Sequence, residues 1–421
     1  MQTDLLRHNE IYKHGVGIMP VRLNTIPGPK MYPVSPGYIK WGSMLVLLLT
    51  VGVAITSLFA SDELVKNSQY FWYMACGIPV LIWLLLVAIR WLVFITFQIQ
   101  ADAWNQRREE VILQETRRGR RALQVLHVSL LVAIERDEEE DLLDAFLNRK
   151  QMLNARFVPK SNNWVRHSMV PVLIGENVSC RLSRILLQQF IEIKQQLELL
   201  SENFHIKVLL DIHTPLSETE VIAIWQDEWQ KNGLPKAHPF STSEPGLANV
   251  DDWLDNHIQE KAVLLVSSVY LEPENLATTA ESACVLLLAN RLTQDELIPR
   301  ALLHRPERIT TIEAIATGVE QALDWVPLYP EAISGTWGAE LNTKQRAVLL
   351  SLNQPFCQER TLYDLDTFLG RSGPVAPWLS TAIAALAAIY SQHPQLTFSG
   401  VPNKDHLWAT VVSPYVIPLE H

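Results

Sequence analysis

The chain has 421 residues, a formal net charge of −10 at pH 7 and a sequence pI near 5.7, which argues against the basic face that nucleic-acid binding needs. Its four cysteines, Cys76, Cys180, Cys284 and Cys357, show no CxxC or other metal spacing, so they read as free cytosolic thiols. No HExxH or HxxxH pattern, Walker loop or dinucleotide-binding glycine fingerprint occurs, and neither a metal nor a cofactor is expected.

The first 41 residues form a polar N-terminal tail. From Gly42 to Ala60 an uncharged apolar run matches the roughly 20 residues that a helix needs to cross a bilayer. A second run, Phe71 to Ile89, is also uncharged, and its Pro79 is tolerable in a membrane helix. Only Ser61 to Tyr70 separates them, so residues 42–97 read as a transmembrane hairpin with a tight outer turn. Arginines and lysines flank both outer ends while the turn carries only Lys66, which places both termini in the cytoplasm of a two-pass protein. Trp41, Tyr70, Phe71, Trp72 and Tyr73 fall where interfacial aromatics belong. A signal peptide does not fit, because 41 residues precede the first run and no small-residue cleavage site follows it.

Residues 98–121 are highly charged and read as a helical stalk. Arg107, Arg108, Arg117, Arg118, Arg120 and Arg121 form a basic cluster just inside the second span, read as a contact with anionic lipid.

The body spans residues 122–421. Ala122 to Ile134 is β-branched and too short to cross a membrane, hence a buried strand. A charged, solvated helix is expected over ERDEEEDLLDAFLNRK, and an amphipathic one over Ser183 to Leu200. Ile206 to Ile212 is a short strand, and Ser217 with Glu220 three residues on opens a helix through a capping box. Lys231 to Pro245, with three prolines, reads as an irregular loop. Two apolar runs, Ala262–Tyr270 and Ala283–Ala289, fit neighbouring core strands. A helix around Thr311 to Leu323 is followed at the end by Ser380–Tyr390 as helix and by Leu396–Gly400 and Leu407–Val412 as strands. The alternation points to an α/β domain. Its halves rhyme, with Ser183–Ile212 matching Val375–Gly400, as an internal duplication would produce.

Two stretches carry a resemblance. Gly370-Arg371-Ser372-Gly373-Pro374-Val375-Ala376 opens an alanine-rich helix, and Thr279 to Ala289 (TAESACVLLLA) precedes it. They resemble, respectively, the glycine turn and the Gly-Glu-Gly-Ala strand of thiolase-like proteins, in particular β-ketoacyl synthases. The resemblance implies a duplicated α/β fold, held here by a membrane hairpin, and a homodimer. It also implies a reactive cysteine at a helix start with histidines in the same pocket, which this chain departs from. Arg371 stands where a histidine is expected, and Cys180, ahead of a helix in ENVSCRLSRI, is the best of the cysteines without the small-residue surroundings of such a nucleophile. Arg371, Ser372 and Cys180 are therefore candidates for a degenerate pocket with no catalytic residue. His213 beside Asp211 lacks a third member of a triad and reads as a polar strand end.

The layout of tail, two spans and degenerate body looks like that of accessory or adaptor proteins of type VI secretion clusters. The expectation is a non-catalytic scaffold in a bacterial inner membrane, whose partners are the bilayer and a secretion effector or apparatus component. The alternative is a membrane-associated acyl-transfer or condensing enzyme of the β-ketoacyl synthase type.

Overall fold

The computed structural model describes residues 23, 26–59, 68–133, 142–147, 155–158, 163–201, 203–241, 246–293, 296–358, 361–402 and 404–416. The chain divides into two compact units, Arg22–Thr116 and the residues from Arg117 onward.

In the first unit, Tyr38–Phe59 is one helix (α1) with no buried residue and with Val46, Leu47, Val51 and Leu58 exposed. The second helix starts at Ser68, passes through a π-turn at Tyr73–Gly77 and continues as Ile78–Gly119 (α2). The π-turn ends just before Pro79, whose ring cannot donate into the helix ladder, so a local change of hydrogen-bond pattern there is the ordinary accommodation. Gly52 of α1 is required by the packing, since a Cβ on it would lie 2.4 Å from Pro79 Cγ and 2.5 Å from the Ala75 carbonyl oxygen. Trp83 Nε1 donates to the Trp41 carbonyl at 2.9 Å. The tail is tied to α2 further along, where Asn105 bonds both backbone groups of Lys30 and Arg108 Nε donates to the Pro27 carbonyl at 2.7 Å. The expected hairpin of two apolar helices is thus present, with Ala60 and most of the outer turn outside the described residues. Three helices among the described residues are long and apolar enough to cross a membrane: α1, Gln69–Gly119, and Gly373–Ser391, of which the last is mostly buried in the body.

The body is a mixed α/β fold on one large sheet. Its strands are Ala122–Val132 (β1), His205–His213 (β4), Ala237–Phe240 (β5), Ala262–Tyr270 (β6), Ser282–Ala289 (β8), Ala301–His304 (β9), Glu307–Ile309 (β10), Gly335–Ala339 (β11), Leu362–Asp364 (β12), Gln395–Val401 (β13) and Lys404–Pro414 (β14). Their spatial order is β12-β11-β13-β14-β9-β1-β8-β6-β4-β5, with β10 beside β14. A smaller sheet joins Ala155–Val158 (β2), Asn163–Ser168 (β3) and Thr279–Ala280 (β7).

That order is palindromic about the β9/β1 junction, so β4, β5, β6 and β8 correspond to β11, β12, β13 and β14. Each half has a central strand with a parallel neighbour on either side, then an antiparallel return strand. The helices repeat likewise. Val178–Leu199 (α4) leads into β4 and Glu218–Lys231 (α5) out of it, as Ile315–Asp324 (α7) leads into β11 and Thr343–Ser351 (α8) out of it. Ala248–Asp252 (α6), continued by a π-turn to His257, precedes β6; Ala376–Ser391 (α10) precedes β13. Leu142–Leu147 (α3) and Leu365–Phe368 (α9) are short additions.

Three apolar clusters reveal the layers. One joins α4 and α5 to β4, β6 and β8, a second joins α7 and α8 to β13 and β14, and the third packs α6 and α10 between the half-sheets. Helix α10 touches strands of both half-sheets, and Ala382, Ala384, Ala385 and Ala388 are fully buried. Alanines at these positions let the helix approach its neighbours closely in a slot closed on both sides, while Trp378, Leu379 and Ile383 supply the bulk it buries.

Several expectations need correction. The duplication is present in another register: α4–β4 pairs with α7–β11, and α10–β13 with α6–β6, because the sequence rhyme compared an outer helix with a central one. The segment read as an irregular loop contains β5, held parallel to β4, since Pro239 is admitted on an edge strand. The charged run after β1 lies mostly outside the described residues, but α3 within it buries Leu143 and Phe146 instead of being solvated. Arg118 and Arg121 of the basic cluster bond within the body. Arg118 makes a two-pronged bond to Asp255 (2.8 and 2.6 Å), shared with buried Arg305, while Arg121 donates to the Leu254 carbonyl at 2.8 Å. Of the other arginines in that cluster, Arg107 pairs with Glu110 and Arg117 and Arg120 are exposed.

Candidate active site

At the ends of β4, β5 and β6 the body opens into a cleft of about 1310 Å³. The capping box of α5, with Ser217 and Glu220 bonding each other's backbone N–H, turns the chain sharply after β4 and leaves His213 and Thr214 on the cleft wall. Strand alternation puts Asp211 and His213 on the same face, and His213 Nε2 lies 2.9 Å from Asp211 Oδ1. The histidine is half-exposed, whereas Asp211 is largely buried and its Oδ2 has no hydrogen-bond partner among the described residues. Ser241, beyond β5, also lines the cleft and donates to Glu218 Oε1 at 2.6 Å.

The other half adds Pro374 to the lining. Residues 373–375 form a turn that packs on β4 and β6 and leads into α10. Gly373 has φ +58°, and a Cβ there would meet the Tyr270 ring at 3.0 Å, so glycine is needed on both counts. Its N–H donates to Glu340 Oε2 at 3.1 Å, and Arg371 Nε lies 3.1 Å from Glu340 Oε1. Burial raises the Glu340 pKa against the pull of Arg371. Behind it, Asp366 accepts from the Glu340 N–H at 2.9 Å and is pushed up to about 7 by burial and the neighbouring carboxylates. Burial, with Glu340 and Glu274 nearby, also raises the Tyr270 phenol.

A second buried pair fixes the cleft rim. Arg181 Nη2 donates to Glu281 Oε2 at 2.5 Å, both side chains nearly inaccessible, and Glu281 also accepts from the N–H groups of Val170 and Glu272. That carboxylate is saturated by four donors, which locks the turn after β6 where Glu272 has φ +45°.

The sequence candidates separate. Arg371 stands at the turn, half-exposed and paired to Glu340, and Ser372 beside it is buried. Cys180 is exposed in the first turn of α4 and is not part of the cleft wall. Cys284 lies in register with Ser268 and, through it, with Asp211; burial and the Asp211 charge push its thiol up to about 12. Cys357 is likewise raised to about 12 by burial. His213 beside Asp211, which the sequence alone reads as a polar strand end, stands with it on the cleft wall, as their i, i+2 spacing dictates. Sequence reasoning missed Glu340, whose link to Arg371 no local pattern announces.

No family model matches the chain, and no curated protein is similar to it. Solved structures are. The ishigamide ketosynthase/chain length factor superposes with a TM-score of 0.50 at 11% identity, over 70% of this chain and 100% of that one. Cerulenin-bound OleA of Xanthomonas campestris gives 0.46 at 8% identity, over 70% and 99%, and the acyltransferase ChlB3 0.46 at 11%, over 70% and 98%. The body therefore has a thiolase-like fold. The likeness at a TM-score of 0.50, to a protein named as a ketosynthase/chain length factor, corrects the expectation of a non-catalytic adaptor of type VI secretion. The reading of the chain as a non-enzyme falls with it, and the alternative reading is the better supported.

Proposed function

We propose that the chain is a membrane-tethered enzyme transferring an acyl group from a thioester to a hydroxyl acceptor in the cleft. The observation that carries this is the Asp211–His213 pair on the wall of a large cleft at the strand ends. With Nε2–H held by Asp211, His213 Nδ1 takes the acceptor's proton as the acyl–oxygen bond forms. The acyl–sulfur bond breaks, and the same proton returns to the leaving thiolate. A cysteine nucleophile is not favoured, since Cys284 and Cys357 are buried with raised pKa and Cys180 lies elsewhere.

In this reading α1 and α2 cross a bacterial inner membrane twice with both termini cytoplasmic, so that a substrate concentrated at the bilayer meets the body without further contacts. Lys66→Cys in whole cells should react with a membrane-impermeant maleimide from outside. A residue silent until lysis would reverse the topology.

Thiol release from long-chain acyl-CoA by the purified full chain tests the chemistry. His213→Gln should lower the rate by about a hundredfold or more, while combined serine replacement of Cys180, Cys284 and Cys357 leaves it within a few fold. Unchanged turnover in His213→Gln, or loss in the cysteine variant, would refute the mechanism.

A further inference from the structure

The charge of the chain is not evenly spread. Between Asp144 and Glu176 the sequence contains Arg149, Lys150, Arg156, Lys160 and Arg166 and no acidic residue, in a protein whose net charge is −10. The same stretch holds the hairpin β2–β3 and the loop after it.

In the hairpin, Phe157 stands directly across from Trp164, and Ala155 across from Arg166, so period-2 alternation puts both aromatic rings and the Arg166 guanidinium on one face. The rings meet edge to face, 5.9 Å between centroids. Neither is buried: Trp164 is 71% exposed and Phe157 48%. The following loop presents Met169, Leu173 and Ile174, the last fully exposed.

This loop is held open by design of its backbone. Leu173 N–H donates to Glu176 Oε2 at 3.0 Å, Glu176 N–H returns to the Leu173 carbonyl at 3.1 Å, and Arg184 clasps both Glu176 and the Pro171 carbonyl. Apolar side chains on an ordered, solvent-facing loop do not collapse onto the body, so the cost of ordering them for a partner is already met.

We infer that this exposed aromatic face, with Arg166 on it, docks on the anionic surface of the bilayer in which the α1–α2 hairpin is proposed to lie, Trp164, Phe157 and Ile174 entering the headgroup layer and Arg166 meeting lipid phosphate and carboxylate. Tryptophan and phenylalanine beside arginine are the composition of interfacial membrane contacts. A second copy is the poorer occupant, because an isologous contact would set this positive stretch against itself. The inference rests on the membrane reading of the hairpin, and the test separates the two.

The full chain, with Cys76→Ser and Cys180→Ser removing its accessible thiols, is spin-labelled singly at Ile174→Cys, at Tyr329→Cys as an exposed reference on the body, and at Leu85→Cys on α2. It is reconstituted in vesicles of phosphatidylcholine with phosphatidylserine, or of phosphatidylcholine alone. Relaxation by oxygen against relaxation by a water-soluble nickel chelate reports lipid immersion. The oxygen-to-nickel ratio at Ile174 should rise several-fold above that at Tyr329 in the anionic vesicles, and fall to it in phosphatidylcholine alone or on Arg166→Glu, a surface change that leaves the core untouched.

Equal ratios at Ile174 and Tyr329 in both lipids, with the Leu85 label immersed, would overturn the docking and leave the anchor standing. A water-accessible Leu85 label would overturn the anchor itself, and the docking with it. Protection of Ile174 from both reagents, regardless of lipid and growing with protein density, would assign the face to a second copy and equally end the proposal.

Discussion

In the first half of the body β4 ends on Asp211 and His213, and the histidine faces an open cleft. In the second half the corresponding strand β11 is followed by Glu340, whose carboxylate is taken up by Arg371 and the Gly373 N–H. The chain paths repeat, but one strand end keeps groups able to bond a ligand while the other is closed on itself. The central helices differ in the same sense: α6 is a single turn extended by a π-turn, whereas α10 runs 16 residues through the slot between the sheets. The two halves repeat one frame, and the proposed chemistry falls in the first.

Substitutions sharpen or break this contrast. The largest effect expected is on rate: His213→Gln lowers turnover by about two to four orders of magnitude with little change in the unfolding midpoint. A midpoint that falls with the rate would make the residue structural.

Glu281→Gln leaves buried Arg181 only the half-exposed Glu272, 3.6 Å away, as counter-charge and should cost about 3 kcal/mol in urea unfolding. Removing both with Arg181→Met and Glu281→Leu should cost less. Equal losses would place the energy in packing.

Asp366 gives the second half a pH signature. Its carboxyl titrates at about 7 in the folded chain and near the ordinary value when unfolded, so the folded state holds the proton more tightly. Its contribution is full at acid pH, declines as pH rises from about 4 to about 7, and is flat above that. Asp366→Asn should remove this slope from a series of urea midpoints and raise stability at pH 8; an unchanged slope would dismiss the assignment.

Ala385→Leu forces bulk into the slot around α10 and should cost about 1–3 kcal/mol. Smallest is Glu340→Gln, about 1 kcal/mol or less because Arg371 is half-exposed, with turnover kept within a few fold. A loss of rate as deep as that of His213→Gln would return catalysis to the second half.

The elements that local physics dictates were legible: the two apolar helices, the capping box at Ser217, β6 to the residue, and the alanine-rich α10. What escaped detection depends on distant partners. Strand β5 is four residues long with a central proline, and only the neighbouring β4 makes it a strand. The Arg371–Glu340 contact needs the crossover from β11 to α10. Arg118 read as lipid-facing because the sequence shows a basic helix end, but not Asp255, which sits far along the chain and claims it. His213 was weighed as a polar strand end since a dyad has no meaning until a cleft surrounds it.

The place of β1 at the middle of the sheet has a consequence for biogenesis. It is the first described strand of the body to leave the ribosome, yet among the described residues it pairs with β8 and β9 alone. At about 5–20 residues per second, roughly ten to thirty seconds pass before both partners exist. Through that interval Leu123, Val125, Leu126 and Val128, all buried in the finished fold, have no sheet to join. The sequence ERDEEED follows the strand at once, and its repulsion between nascent chains is the natural guard against premature pairing with a neighbour on the same polysome.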